Sequence, residues 1–304
     1  MQKTTLLASW GLIHATGPDA INFLHGQLTN DLLHLMPGQT QWTGYCTPKG
    51  RLLAVFLAWH DEGDGVWLMT EAALIPSLVK RLRMFVLRAK VVLEDCSSAY
   101  VGTGQMNTEA SGVTSIAERT VAGWRVGLPP VDATQRTMLW APVDAAAATL
   151  APAEAQVASG NDWTRLMIAS GEGWVVAATQ EQFVPQMINF DVQGGISFKK
   201  GCYPGQEIVA RAHYRGAVKR RMYRATVDAL AKPGDPVFSG DAGGQECGSV
   251  VLAAPSETGA SELLAVAQMQ SREQDDVRLG AADGPRLRFA SLPYSFAGTD
   301  DAAA

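Results

Sequence analysis

Apolar residues in the first part of the chain follow two different spacings. Leu24 and Leu28 stand four apart after the sequence Gly-Pro-Asp at 17–19, and a proline near the first position favours the start of a helix. Residues 52–59 form a short apolar run, and residues 65–69 form a second one beyond a turn rich in Gly and Asp. Such runs predict two buried strands that pair across the turn.

The next segment returns to helical spacing. Leu74, Leu78 and Leu82 predict an amphipathic helix, and residues 91–93 predict a further strand. Strands and helices in this order indicate an α+β layer rather than a doubly wound parallel sheet. The basic residues of this helix form either a docking surface or, more commonly, a solvated face; they are Lys80, Arg81, Arg83 and Arg88.

The pattern weakens in the middle of the chain. Residues 107–119 and 144–160 show little periodicity, and we interpret both as surface connections or weak helices. Asn161 is a candidate cap for a helix through residues 163–167, and Gly171 is a candidate for its end.

The pattern of apolar and polar residues changes from residue 220 onward. Short apolar runs separated by Gly, Pro and Asp are typical of a small β-barrel or sandwich; the runs lie at 227, 237–238, 248–251, 263–267 and 287–289. We expect the last residues, 297–304, to form a disordered tail.

Composition limits the classes of protein that fit. With 304 residues and 47% hydrophobic content, the chain can bury the core of two or three domains, and its net charge of −5 offers no overall attraction for nucleic acid or anionic membranes. No apolar run approaches the roughly 18 residues that span a bilayer. The four cysteines are widely spaced and form no zinc pattern with the histidines. We therefore expect a cytoplasmic protein without a metal site or a membrane partner.

The segment at 200–207, which reads KGCYPGQE, carries the clearest chemistry. Pro204 disfavours helical backbone at the preceding residue, so Cys202 is expected on extended or turn backbone just before a helix. If the backbone is extended, Lys200 and Cys202 share a face, and a nearby ammonium group favours a reactive thiolate. The alternative is an inert buried thiol, which is the usual state of a lone cysteine. Glu207 and Arg211 have the spacing of a helical ion pair.

Basic residues are concentrated around this segment. Between residues 192 and 227 there are eight Lys or Arg residues and one acid, Glu207. This excess either meets an anionic ligand or nucleic acid, or is balanced in space by acids from elsewhere. A reader of double-stranded nucleic acid is usually basic overall, so we expect no direct contact with nucleic acid.

Three segments resemble the YgfZ group, whose fold is similar to that of the glycine-cleavage T protein, an aminomethyltransferase. Residues 200–207 match its KGCYxGQE signature, residues 17–31 resemble its GPDAxxFLQGQLTND segment, and residues 45–51 resemble its YCxPKGR segment. The order and spacing agree, and the resemblance covers nearly the whole chain, most weakly in residues 100–160.

The resemblance implies a multi-domain α+β cloverleaf with a central folate site and a small C-terminal β-barrel. On this basis we assign an α+β domain to residues 1–100, a second to 101–219 and the barrel to 220–296. The implied ligand is tetrahydrofolate or a one-carbon derivative. The implied role is the assembly or repair of iron–sulfur enzymes, including those that thiomethylate tRNA, and Lys200 and Cys202 match the group's functional Lys-Gly-Cys.

Two departures separate the chain from the true aminomethyltransferases. Where those enzymes carry paired aspartates, one of them catalytic, this chain has Ala54 and Val55, so the expected acid or base is missing. Where they carry a glutamate that contacts the pterin, the sequence Arg-Leu-Met at 165–167 places Met167, and a thioether accepts hydrogen bonds only weakly. These changes argue against a glycine-cleavage enzyme.

A folate needs an apolar slot for its pterin ring and cations for its glutamate tail. Tyr45, Trp140 and Trp174 are candidates for the slot, and Asn30 is a candidate for a hydrogen bond to the ligand. Lys49 and Arg51 are candidates for the carboxylates of the tail. Glu207 and Arg211 belong either to the site or only to a helix pair. Each also has an ordinary structural interpretation, as a core aromatic, a helix cap or a solvated charge.

Three hypotheses follow from the sequence. The first is a monomeric, folate-binding accessory protein that meets iron–sulfur client enzymes transiently, with Cys202 as a nucleophile, redox thiol or transient ligand tuned by Lys200. The second is a folate-dependent aminomethyl or one-carbon transferase of unknown substrate. The third is an interaction module in which folate acts only as a conformational ligand.

Overall fold

The structure is a computed structural model that describes residues 2–60, 63, 65–108, 116–146, 156–214, 218–240, 243–256 and 258–296. Its strands form three sheets, of six, five and six strands, with five α-helices among the described residues. The mixed α+β class expected from the sequence is confirmed.

The first sheet carries the order β3-β4-β5-β2-β6. Strand β4 lies between β3 and β5 and is buried along almost its whole length, because its apolar run faces the core on both sides. The predicted pairing of β4 with β5 and both predicted helices are confirmed. The bounds are β2 Trp10–Thr16, α1 Ala20–Gln27, β3 Thr40–Cys46, β4 Leu52–His60, β5 Val66–Glu71, α2 Ile75–Val86 and β6 Val92–Asp95.

The second sheet carries the order β11-β1-β7-β10-β9-β8, so the N-terminal strand pairs with strands more than ninety residues away. Because β1 belongs to the same sheet as strands after residue 100, this residue does not mark a division between the two sheets. The domain boundaries given by the resemblance stay a prediction. The strands are β1 Gln2–Leu6, β7 Tyr100–Asn107, β8 Ala117–Thr120, β9 Gly123–Val131, β10 Thr134–Pro142 and β11 Gln156–Val157. Parts of the two segments interpreted as connections, 109–115 and 147–155, lie outside the described residues.

Helix α3, Gly160–Ala169, follows β11. Its cap is Ser159, which forms a capping box with Asp162, so the expectation that Asn161 caps this helix was wrong. Gly171 ends the helix as expected: its φ is +69°, and the amide of Glu172 donates to the carbonyl of Met167.

The third sheet is antiparallel and curls into a half-barrel with the order β16-β13-β14-β15-β12-β17. Helix α4, Gln206–Tyr214, precedes this sheet in the chain, and α5, Met269–Glu273, connects the strand that ends at Gln268 to the strand that begins at Val277. The strands are β12 Arg220–Val227, β13 Pro236–Ser239, β14 Gln245–Pro255, β15 Ser261–Gln268, β16 Val277–Leu279 and β17 Arg288–Ala290. The tail expected to be disordered, 297–304, lies outside the described residues.

The larger hydrophobic core is built from the first two sheets and from residues of the third sheet, and a smaller core fills the half-barrel. Within the part of the chain that the structure describes, no helix has both the length and the apolar character that crossing a bilayer would require. The same residues contain no cluster of three or more His, Cys, Asp or Glu side chains arranged to hold a metal ion.

Candidate functional site

The three segments that carry the family resemblance meet in space. The ammonium group of Lys200 donates hydrogen bonds to the backbone carbonyls of His25 and Leu28, the latter at 2.6 Å, at the C-terminal end of α1. The turn between β3 and β4 packs against the segment at 203–208. Residues far apart in the chain thus build one site around the sequence KGCYPGQE.

Two glycines make this contact possible. Gly205 has a φ of +83°, and a Cβ at this position would lie 2.4 Å from the carbonyl oxygen of Thr47 and 2.7 Å from the Cα of Gly50. A Cβ at Gly50 would lie 2.9 Å from the side chain of Ile208 in α4. Only glycine allows the two turns to approach this closely.

Lys200 is buried, with 8% of its surface exposed. Burial lowers its pKa from the ordinary 10.5 to about 8, while the carboxylate of Asp31 acts in the opposite direction. The ring of Tyr203 lies 5.1 Å from the ammonium nitrogen. The carbonyls at the end of α1 are acceptors that a cation satisfies well, because the negative end of the helix dipole is there.

The lowered pKa of Lys200 predicts a specific dependence of stability on pH. Between pH 8 and 10.5 the unfolded chain holds a proton at this lysine that the folded chain has released, so the free energy of unfolding rises with pH in this window. We expect the wild type to gain stability relative to Lys200→Met as the pH rises, measured by urea unfolding. Lys199→Met, at an exposed neighbour, is the control for the loss of one positive charge. A constant difference between wild type and Lys200→Met would contradict the assignment.

Cys202 is exposed and lies on non-helical backbone, and α4 begins after it at Gln206. The expected position before a helix is therefore confirmed. Residues 201–203 belong to no strand or helix, and 204–205 form a turn. Lys200 is buried while Cys202 is exposed, so the two side chains lie in different environments. Lys200 supports the segment that presents the thiol, and its hydrogen bonds go to α1.

The residues proposed for the pterin slot are enclosed. Asn30 donates both amide hydrogens, to the carbonyls of Trp42 and Gly194 at 2.7 Å each, and its oxygen accepts from the amide of Asp31. Trp174 is buried, with its ring centroid 4.8 Å from that of Trp42.

The other two aromatic candidates are buried as well. Burial raises the pKa of the Tyr45 hydroxyl, and the Arg81 guanidinium lies 6.0 Å from its ring. Trp140 is buried against Gly102 of the neighbouring strand, where a Cβ would lie 2.8 Å from the indole ring.

The candidates toward the glutamate tail, Lys49 and Arg51, and the candidates in α4 are accessible. Lys49, Glu207 and Arg211 are exposed. Arg51 donates a hydrogen bond to the carbonyl of Gln182 and lines a cleft of about 590 Å³ between the β3–β4 turn and the half-barrel. In the described part of the chain Glu207 and Arg211 form no ion pair, so the pairing expected from their spacing was wrong although the helix forms.

The two departures from the transferases lie in the core. Ala54 and Val55 are fully buried in β4, and Met167 is buried in α3. Arg165, beside Met167, pairs with Asp162 at 3.1 Å and donates to the carbonyl of Pro255. The catalytic carboxylate of the transferases thus has no counterpart at these positions.

The structure adds charged groups that the sequence analysis missed. Asp31 lies between two imidazoles, 3.2 Å from Nδ1 of His25 and 3.0 Å from Nδ1 of His34. Its place in the matched segment was the one available signal. Arg136 and Glu172 form a buried ion pair at 2.7 Å, and no local spacing connects them.

The fold defines the class of protein. The structure superimposes on the glycine cleavage system aminomethyltransferase T of Bartonella henselae with a TM-score of 0.66, over 96% of this chain and 86% of that chain, at 14% identity. The protein therefore has the glycine cleavage T-protein fold, as expected from the three motifs.

Sequence relatives narrow the class to a family. The chain is 34% identical over 223 residues to the tRNA-modifying protein YgfZ of Vibrio vulnificus, covering 72% of this chain and 68% of that protein. It is 28% identical over 306 residues to the tRNA-modifying protein YgfZ of Escherichia coli O127:H6, covering 95% and 92%. No family model matches the chain. The chain belongs to the YgfZ family, which confirms the resemblance inferred from the motifs.

Proposed function

We propose that this protein is a tetrahydrofolate-binding accessory factor that supports the assembly or repair of iron–sulfur enzymes, including those that thiomethylate tRNA. Cys202 is its reactive group. The observation that carries the proposal is the convergence of the three family segments on one exposed thiol, held in place by the buried Lys200 and the Gly50–Gly205 contact.

Family membership supports the link to tRNA modification, since the relatives are named tRNA-modifying proteins. We infer that this link runs through client enzymes rather than through contact with RNA, because the chain carries a net charge of −5. Further parts of the proposal are a cytoplasmic monomer without a membrane partner and transient contact with its clients.

The T-protein fold suggests a folate ligand, and the cations of the site suit its acidic tail. Arg51 lines an open cleft, and Lys49 and Arg211 are exposed nearby in the turn and helix that pack together. The enclosed side chains of Asn30, Tyr45 and Trp174 act in this proposal as rigid support around the ligand rather than as free donors. A folate, when bound, supplies a carrier for one-carbon units; this chain's own groups bind and orient it.

Titration with tetrahydrofolate by calorimetry under anaerobic conditions tests the ligand. We expect saturable binding that Arg51→Gln weakens about tenfold, since one charge-assisted hydrogen bond contributes roughly 1.4 kcal/mol. Arg88→Gln is the matched control, because Arg88 is exposed on the segment after α2. Equal weakening by both variants would assign the effect to overall charge. No binding by the wild type would remove folate from the proposal.

The alternative of a one-carbon transferase of unknown substrate lacks an acid or base at the expected place, where Ala54 and Val55 are buried and apolar. Turnover of a one-carbon folate by the purified protein would favour this alternative over the accessory role.

A further inference from the structure

The concentration of basic residues around Cys202 is only partly neutralised by the fold. Arg221 pairs with Asp191 at 2.6 Å and Arg224 pairs with Glu262 at 3.2 Å, while Lys200 is buried. Arg215 lies outside the described residues. The remaining members of the basic stretch, which no ion pair within the described ranges neutralises, are Lys199, Arg211, Lys219 and Arg220.

These cations lie on neighbouring surfaces. Lys219 and Arg220 line a cavity together with Ala212 of α4, and Arg220 also lines the cleft that contains Arg51. The β3–β4 turn, with Lys49, contacts α4 through Ile208. We call the surface formed by Lys199, Lys219 and Arg220, the cations of this region that the folate proposal does not use, the cationic face.

Partly and fully exposed aromatic groups adjoin this face. Phe198 stacks on His213 with ring centroids 3.8 Å apart, and Tyr214 packs edge-on against His213 at 4.7 Å while 68% of its surface is exposed. Ile208 is 39% exposed on the same helix. Exposed aromatic and apolar side chains next to arginines are the composition of interface centres in protein complexes.

We propose that the cationic face and the Phe198–His213–Tyr214 cluster form the docking surface for an acidic patch on the client enzyme, which brings the client to Cys202. This inference rests on the proposed function and specifies its partner surface. Charge complementarity carries it: a chain of net charge −5 keeps at least four unneutralised cations around its one exposed cysteine among the described residues.

A protein patch fits this surface better than RNA does. The chain carries a net charge of −5, whereas proteins that bind a continuous phosphate backbone are usually basic overall. One face of the Phe198 ring is covered by His213, which leaves a poorer platform for stacked bases.

The test measures association with a purified iron–sulfur tRNA-thiomethylating enzyme from the same organism by biolayer interferometry. We expect the double variant Lys199→Glu/Lys219→Glu to slow association at least about tenfold, and a rise in salt to slow the wild type similarly. The matched control Lys80→Glu/Arg88→Glu has the same change of charge on α2 and the loop after it, and should associate within about twofold of wild type.

Several outcomes would overturn the proposal: no association by the wild type, equal slowing in both variants, or tRNA alone binding with the same sensitivity to the first variant. Rescue of a deletion strain separates this proposal from the proposed function. If deletion lowers the client's activity and both double variants restore it equally, the docking surface is wrong while the accessory role stands. If deletion has no effect on the client, the accessory role itself fails.

Discussion

The Arg136→Met variant is expected to lose about 3–5 kcal/mol of the free energy of unfolding. The Arg136 side chain is fully buried and donates to the carboxylate of Glu172 at 2.7 Å and to the carbonyl of Pro129 at 2.9 Å. Glu172 also accepts from the indole of Trp174 at 3.4 Å. Removing the guanidinium leaves a buried carboxylate without its cation. The desolvation cost of that unpaired charge exceeds the free energy gained by burying the methionine side chain.

Urea unfolding checks this prediction, with Arg125→Met as the matched control. Arg125 lies on the adjacent strand β9 and approaches Glu118 at 3.8 Å, with both side chains about half exposed. Exposed pairs contribute about 0–1 kcal/mol, so the control should stay close to wild type. A loss below about 1 kcal/mol in Arg136→Met would show that water or a shifted side chain compensates Glu172.

The Gly205→Ala variant is expected to lose the function of the site as well as stability. The left-handed backbone at Gly205 costs an L-residue about 1–2 kcal/mol, and the added methyl group would overlap the backbone of Thr47 and Gly50. The turn between β3 and β4 must then move away from α4, which separates the segments that hold Cys202. We expect a clear fall in melting temperature and little or no rescue of client activity in a deletion strain.

Gly201→Ala is the control for this prediction, since it makes the same chemical change in the same motif. A Cβ at Gly201 would meet no atom within 4 Å, and the residue has no positive φ. This variant should retain the stability of the wild type. Equal destabilisation by the two substitutions would contradict the role assigned to the Gly50–Gly205 contact.

Local pattern was sufficient for much of the fold. The apolar run of β4 and the four-residue spacing in α1 and α2 predicted the elements that frame the site. Such patterns lie within a single strand or helix, so they can be recognised without knowledge of long-range contacts. The position of Cys202 before α4 followed in the same way from Pro204.

Long-range contacts account for what the sequence analysis missed. The prediction that Lys200 and Cys202 share a face considered only the local backbone. In the structure the ammonium group of Lys200 is buried and donates to the carbonyl of Leu28 at the end of α1, 172 residues away. Arg136 and Glu172 lie 36 residues apart, and no periodicity marks two charges as a buried pair. Likewise, β1 pairs with β7 across the chain, which local spacing cannot reveal.

Rescue of client activity in cells tests the central claim, that Cys202 is the reactive group of an accessory factor for iron–sulfur enzymes. The gene is deleted, and the activity of an iron–sulfur tRNA-thiomethylating enzyme is measured after return of the wild type, Cys202→Ala or Cys247→Ala. Cys247 is buried in the half-barrel and serves as the control thiol. We expect deletion to lower the activity, and we expect wild type and Cys247→Ala to restore it while Cys202→Ala does not. Full rescue by Cys202→Ala would contradict the reactive role of Cys202, and unchanged activity after deletion would contradict the accessory role.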